Sequence, residues 1–338
     1  MPNLPRAAMD PDSRAAVPRF DDLLAARARI APFVRRTPVL HDPELDRLLG
    51  LQLFMKCENL QIGGAFKLRG ATHAALLIAA SGHQGRLLTQ SSGNHGAALA
   101  LACRRLGLAL TVVVPRTAPR SKIEAMRREG AELVFCEPDQ ASRDAAVEAV
   151  RAEGDVAYVH PFDDSWVIAG QASATLEWLE EVPKLEVILV PVSGGGLASG
   201  TALAAHAHDP KIEVFGVEPS AAADARASLA AGSIQRGLVG PTLCDALRAE
   251  LGPLTFRILS AHLAEVLVVE DDEVLAAMRF ACERLKLVLE PSGAAALAAL
   301  LKARHRFRGR CVGVMLSGGN ADPETLALAL QAPVPALP

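Results

Sequence analysis

The sequence predicts an α/β protein built on wound, mostly parallel sheets, and three observations carry that expectation. Short runs rich in Val, Leu and Ile alternate with longer amphipathic stretches along nearly the whole chain. Several of the amphipathic stretches end on a glycine that leads into the next strand run, the turn chemistry of an αβ unit. With 338 residues, 50% hydrophobic and 22% charged, the chain has core material for about two domains and no signature of disorder.

Taken in order, strands are expected at 51–56, 86–90, 110–115, 132–136, 156–160, 187–192, 213–217, 265–269 and 311–316. Helices are expected at 95–106, 119–129 and 142–153, stopped by Gly107, Gly130 and Gly154. A further helix at 272–286 starts on Asp271 and Asp272 and carries Val274, Met278, Ala281, Cys282 and Leu285 on one face. The run 86–163 reads as a small domain inserted into a larger one. The expected division is therefore 76–163 as the small domain, with 1–75 and 164–338 forming the large one. Residues 1–20, with Pro2, Pro5, Pro11 and Pro18, are expected to be a flexible tail and carry no apolar signal core.

Charge and composition exclude several partners. Lys plus Arg is 35 against 38 for Asp plus Glu, a net charge of −3, too balanced for nucleic-acid binding through bulk electrostatics. Aromatic residues are 4%, too few for base-stacking platforms. The uncharged stretches 187–206 and 87–103 are interrupted by Pro191, Gly194, Gly195 and Gly196 and by Gln90, Asn94 and His95, so no membrane span is expected. Six cysteines, at 57, 103, 136, 244, 282 and 311, form no CxxC pair; reduced, mostly buried thiols and a cytoplasmic location follow as expectations. His206 and His208 are two apart on a helix, do not share a face, and are not expected to pair on a metal.

Four segments carry chemistry. In Gly63-Gly64-Ala65-Phe66-Lys67, a glycine loop leads into a helix opened by Lys67, either a solvated lysine or one desolvated enough to condense with a carbonyl cofactor. Ser91-Ser92-Gly93-Asn94-His95-Gly96 lies between a strand and an alanine-rich helix, either a capping loop or a carboxylate cradle. Ser92 and His95 lack the elbow motif and acid partner of a hydrolase triad. Ser193-Gly194-Gly195-Gly196-Leu197 is either a tight turn or a phosphate site of converging N–H groups, without the lysine of a Walker loop. Ser317-Gly318-Gly319-Asn320 follows the last strand, where ligands of open α/β sheets sit.

In this order, and with Pro38-Val39-Leu40, His160-Pro161-Phe162-Asp163 and Glu290-Pro291-Ser292-Gly293, the four segments closely resemble the threonine dehydratase and serine racemase family of pyridoxal-phosphate enzymes from about Asp21 to Asn320. The resemblance implies a tryptophan-synthase-β-like fold with two wound-sheet domains. It implies that Lys67 holds pyridoxal 5'-phosphate, Phe66 flanks its ring and Asn94 meets the ring hydroxyl. The backbone of Ser193, Gly194, Gly195, Gly196 and Leu197 would bind the phosphate, and Ser317 would face the ring nitrogen. Ser91, Ser92, Asn94, His95 and Arg143 would bind the substrate, with Ser92 as the catalytic group on the face opposite Lys67. Glu218, Ala222 and Asp224 match the Mg²⁺ or Ca²⁺ site of the racemase-like branch; alone they also read as acids at a helix start. Ala65, Gly170-Gln171-Ala172-Ser173 and Cys244-Asp245-Ala246 depart from common family patterns.

The function implied is dehydration of L-threonine, L-serine or a related β-hydroxy amino acid to a 2-oxo acid and ammonia. The alternatives are a serine or aspartate racemase, or a dehydratase specific for 3-hydroxyaspartate or phenylserine. The expected partners are a small amino-acid substrate and a second copy of the chain in a homodimer.

Overall fold

The computed structural model describes residues 14–334 and divides into two compact units. One unit takes the chain up to Val34 together with Lys67–Gly170; the other takes Arg35–Phe66 and everything from Gln171 onward. Nine strand runs expected from the sequence are present, and a tenth, Val39–His41, is too short to carry a periodic signal.

The first unit is a four-stranded sheet in which every pairing is parallel. Strands β3 (Arg86–Gln90), β4 (Leu110–Pro115), β5 (Glu132–Cys136) and β6 (Val156–Tyr158) lie in the order β5-β4-β3-β6. Parallel neighbours need crossovers, and the amphipathic stretches supply them as α4 (Asn94–Leu106), α5 (Arg120–Arg128) and α6 (Gln140–Ala152). Helix α4 ends at Gly107 with φ +69°, the left-handed C-cap that its sequence forecast.

The unit also includes α1 (Phe20–Ile30) and all of α3 (Lys67–Ala80), whereas the sequence division assigned α1 and residues 67–75 of α3 to the larger domain. Packing explains the difference. Helix α3 is buried along most of its length and lies on α4. A Cβ on Gly170, in α7 (Ser165–Glu181), would stand 2.6 Å from the Cα of Gly70 in α3, so the two backbones touch there. His73 of α3 bonds the Trp166 carbonyl through Nδ1 at 2.7 Å and Arg29 of α1 through Nε2 at 2.6 Å. Of the expected tail, residues 1–13 lie outside the described chain. From Arg14 the chain is anchored: its guanidinium pairs with Asp164, donates to the Tyr158 carbonyl at 2.8 Å and lies over Trp166.

The second unit is a six-stranded sheet in the order β1-β2-β10-β7-β8-β9, from β1 (Val39–His41), β2 (Gln52–Cys57), β7 (Val187–Pro191), β8 (Glu213–Pro219), β9 (Leu263–Val269) and β10 (Cys311–Leu316). Only edge strand β1 runs antiparallel, against β2. The central strands β7 and β10 are buried throughout, the continuous apolar run required of parallel strands covered on both faces. One core packs the sheet against α12 (Pro291–Ala303) and α11 (Asp271–Phe280); the other packs it against α7 and α8 (Gly196–His208). The helix expected to run to 286 is α-helical only to Phe280. It continues as a π turn over Ala281–Leu285 and stops at Lys286, whose φ is +58°.

Candidate active site

Every chemical segment picked out in the sequence follows the C-terminal end of a parallel strand. The segment 58–66, which leads to Lys67, follows β2; 91–96 follows β3; 193–197 follows β7; 218–224 lies at the end of β8; and 317–320 follows β10. Strand polarity thus collects residues far apart in sequence at corresponding sheet ends.

In the first unit, Lys67 opens α3 and its Nζ donates to the Pro161 carbonyl at 2.9 Å. Desolvation pulls the amine down to a pKa of about 8. The 91–96 loop is stapled from within: Ser91 Oγ accepts from the N–H of Gly93 at 3.1 Å and of Gly96 at 3.0 Å. Ser91 Oγ thus braces the loop as an acceptor, while the N-cap position of α4 is held by Gly93 without a side-chain cap bond. His95 is 3% exposed, and neither ring nitrogen has a hydrogen-bond partner. Burial, then the nearby charge of Lys67 and His160, holds it neutral, well below the ordinary imidazole range. His160 Nδ1 accepts from the N–H of Asp163 at 2.8 Å, and burial lowers its pKa to about 4. The weak triad reading of Ser92 and His95 fails because no hydrogen bond joins them. Arg143 lies in the first turn of α6, and its Nε is buried without a hydrogen-bond partner.

In the second unit, the 193–197 loop makes the sharp turn that its glycines allow. Gly195 has φ +92°, and a Cβ there would stand 2.7 Å from Thr255 Cβ. Thr255 Oγ1 donates to the Gly194 carbonyl at 2.7 Å, and Ser193 Oγ accepts from the Ala249 N–H at 3.1 Å. Side chains thus fix the loop, leaving the first-turn N–H groups of α8 as the anion donors. Thr255 and Ala249 carry no signal in the sequence, because both reach the loop only through tertiary packing.

Residues 63–66 are zipped onto 317–320. Phe66 N–H donates to the Ser317 carbonyl at 3.1 Å, Gly319 N–H to the Gly64 carbonyl at 2.8 Å, and Asn320 Nδ2 to the Gly63 carbonyl at 2.9 Å. Gly64 has φ +76°, and a Cβ there would stand 2.2 Å from Asn320 Oδ1. Ser317 is buried, with its Oγ 3.5 Å from the Ser292 carbonyl, a long and weak contact that leaves the hydroxyl available to a ligand.

Glu218 and Asp224 are both buried. Glu218 accepts from the N–H groups of Ala225 and Arg226, each at 2.9 Å, and Asp224 from the Leu251 N–H at 3.1 Å. Desolvation raises Glu218 to about 8 and Asp224 to about 6, and the Asp224 charge adds to the effect on Glu218. Two acids held out of water this way carry a desolvation cost that a bound cation would relieve. Among the described residues no cluster of three or more His, Cys, Asp or Glu could hold a metal, so further ligands would have to be carbonyls or water. The cysteines are free; all but Cys282 are buried.

A desolvated lysine at one helix start, a glycine loop at another and strand-end hydroxyls on parallel α/β sheets are groups that could serve an enzyme acting on small anionic molecules. The chain belongs to the family of pyridoxal-phosphate-dependent enzymes, whose family model matches residues 30–318. It is similar to the beta-hydroxyaspartate dehydratase of Paracoccus denitrificans (strain Pd 1222), 40% identical over 92% of this chain and 98% of that protein. Among solved structures it is similar to maize serine racemase, with a TM-score of 0.87 and 39% identity over 93% of this chain and 97% of that one. It is also similar to the serine racemase of Dictyostelium discoideum, with a TM-score of 0.85 and 38% identity over 91% of this chain and all of that one. A solved threonine deaminase shares 41% identity with a TM-score of 0.84, over 90% of this chain and 99% of that one. No helix among the described residues is long and apolar enough to cross a membrane.

Proposed function

We propose that this enzyme removes water from L-threonine, L-serine or a related β-hydroxy amino acid and releases a 2-oxo acid and ammonia. The observation that carries the reading is Lys67, an amine brought down to about 8 at the start of α3. When bound, pyridoxal phosphate supplies an electron sink that makes the α-proton of the amino acid removable. Lys67, with a sizeable neutral fraction near neutral pH, takes that proton. Gly195 and the start of α8 fit the phosphate; Phe66 and Asn94 would hold the ring. Ser317 offers the ring nitrogen a neutral hydroxyl instead of a carboxylate, which favours quick loss of the β-hydroxyl over a long-lived carbanion.

In this reading Ser91, Ser92, Asn94, His95 and Arg143 hold the substrate, with Ser91 also bracing the loop. Glu218, Asp224 and the Ala222 carbonyl bind Mg²⁺ or Ca²⁺ in a structural role. The division into a cofactor domain and a small domain, the homodimer and the cytoplasmic location belong to the same reading, and the buried free thiols fit a reducing compartment. A second reading, dehydration of 3-hydroxyaspartate, is favoured by the buried Nε of Arg143 and by the Paracoccus relative.

The test is ammonia and 2-oxo acid release from L-threonine, L-serine, the 3-hydroxyaspartate isomers and phenylserine. Stoichiometric release from at least one is expected. Racemisation of serine or aspartate without any ammonia would overturn the dehydratase reading.

A further inference from the structure

Residues 160–163 form the bend between β6 and α7, and both of its ends are anchored. Before the bend, the Val159 N–H donates to the Leu88 carbonyl at 2.8 Å, and the Val159 carbonyl accepts from Thr89 Oγ1 at 2.8 Å. After it, Asp164 accepts from the Trp166 N–H at 2.9 Å and pairs with Arg14. Between these points a side chain closes the bend. His160 Nδ1 accepts from the Phe162 N–H at 3.3 Å and from the Asp163 N–H at 2.8 Å, the pattern that Asn and Asp make in an Asx turn. The ring stands edge-on to Phe162, with centroids 4.6 Å apart.

One of the two peptide units gripped this way is the unit that Lys67 meets. The Phe162 N–H and the Pro161 carbonyl belong to one trans peptide, so they point in opposite directions. With its N–H turned to His160, that peptide turns its carbonyl away from the imidazole, and Lys67 Nζ donates to it at 2.9 Å. The proline ring fixes φ at residue 161, which leaves ψ as the soft torsion that aims this carbonyl. His160 therefore sets the torsion on which the Lys67 contact depends. A nitrogen that accepts twice carries no proton, so the imidazole proton lies on Nε2. Burial keeps the ring neutral, with a pKa of about 4, and the charge of Lys67 acts in the same direction.

We propose that His160 is a positioning residue for Lys67: by gripping the 161–162 peptide through Nδ1, it aims the Pro161 carbonyl at the amine and so holds Lys67 in place whenever that amine is not bonded to the cofactor. This rests on the reading of Lys67 as the lysine that binds pyridoxal phosphate and takes the α-proton.

The test compares wild type with His160→Asn, which keeps an acceptor for the two N–H groups, and His160→Phe, which keeps a ring and loses the acceptor. Stopped-flow absorbance measures the rate at which apoprotein captures pyridoxal phosphate; steady-state kinetics on the holoenzyme measures KM and kcat on the best hydroxy amino acid. For His160→Phe, capture should slow about tenfold and kcat should fall about tenfold, with KM within about threefold, while His160→Asn stays within about threefold of wild type throughout. A ring that only packs predicts the reverse, with Phe tolerated and Asn disruptive. That pattern, or equal loss in both variants, would overturn the proposal. If His160→Phe does not fold, His160→Leu replaces it with the same expectations. Nitrogen-15 NMR of the wild-type imidazoles is a check that needs no variant: the His160 proton should lie on Nε2, and a proton on Nδ1 would overturn the proposal. A wild type that captures the cofactor in a His160-dependent way but releases no ammonia overturns the dehydratase reading and leaves the His160 role standing. A Phe variant that captures the cofactor as fast as wild type overturns the His160 role whatever the enzyme turns over.

Discussion

At the scale of the residue, the protein sets the behaviour of a few groups by removing water from them. Lys67 is the leading case. Burial, not a neighbouring cation, is the cause of its lowered pKa, so the amine gains a neutral fraction as pH rises through about 8 instead of 10.5. The rate at which apoprotein captures pyridoxal phosphate should therefore climb about tenfold per pH unit below 8 and flatten above it. Lys67→Ala should lose the yellow, borohydride-reducible chromophore and at least 10³-fold of turnover. Stopped-flow absorbance checks the first expectation and an ammonia assay the second. A borohydride adduct at another lysine would contradict both. Ser92 lies beside the engaged Ser91, and racemisation needs a proton donor on the face opposite Lys67. With L-serine in heavy water, Ser92→Ala should keep pyruvate formation within a few-fold and lose D-serine formation. Equal D-serine from both proteins would make Ser92 a loop residue only.

At the scale of the element, loops are fixed by what lies beneath them. Gly195→Ala meets two obstacles, a left-handed φ of +92° and the Thr255 Cβ at 2.7 Å. The backbone cost is about 1–2 kcal/mol and overpacking adds roughly 1–3. Gly82 has φ +80° and nothing within 4 Å of its would-be Cβ, so Gly82→Ala should show the backbone cost alone. Urea melts should separate the two variants by at least 1 kcal/mol, and only Gly195→Ala should weaken cofactor retention. At the end of β8, Glu218 and Asp224 are desolvated acids that a divalent cation would stabilise in the folded state only. At a hundredfold excess over Kd that is worth about 2.7 kcal/mol. EDTA should lower the Tm, and Mg²⁺ or Ca²⁺ should restore it. A Glu218→Gln, Asp224→Asn double variant that still responds to EDTA would place the metal elsewhere.

At the scale of the whole molecule, the first unit holds three imidazoles that desolvation keeps neutral, His73 and His95 buried and His160 partly buried. Burial lowers His73 and His160 to about 4 and holds His95 well below the ordinary imidazole range. The unfolded chain binds protons at these positions from about pH 6.5 downward while the folded chain does not, so their contribution is full above 6.5 and is lost as pH falls toward 4. For His73 and His160 the shift is worth on the order of 3 kcal/mol each at full effect. Stability should fall steeply between pH 6.5 and 4, with hydrogen exchange rising first in the 67–170 segment. His73→Gln should make the slope shallower. An unchanged slope would mean that His73 titrates normally.

Alternation of short apolar runs with glycine-stopped helices was enough to locate nine of the strands, because buried parallel strands and crossover helices each impose their own period. The order of the four loop segments was enough to carry the resemblance to the family, and that resemblance singled out Lys67, the 193–197 turn and the Ser317 end, which the spacing of each segment by itself left open. The tertiary structure alone decided that α1 and α3 join the smaller unit, since the Gly70–Gly170 contact leaves no periodic trace in either helix. It alone decided that Ser91 Oγ accepts from Gly93 and Gly96, that Thr255 braces Gly194, and that Lys122 lies under Gly93. Local sequence sets backbone conformation and apolar period; which side chain reaches a given loop depends on packing between residues remote in the chain, and no single stretch of sequence encodes that.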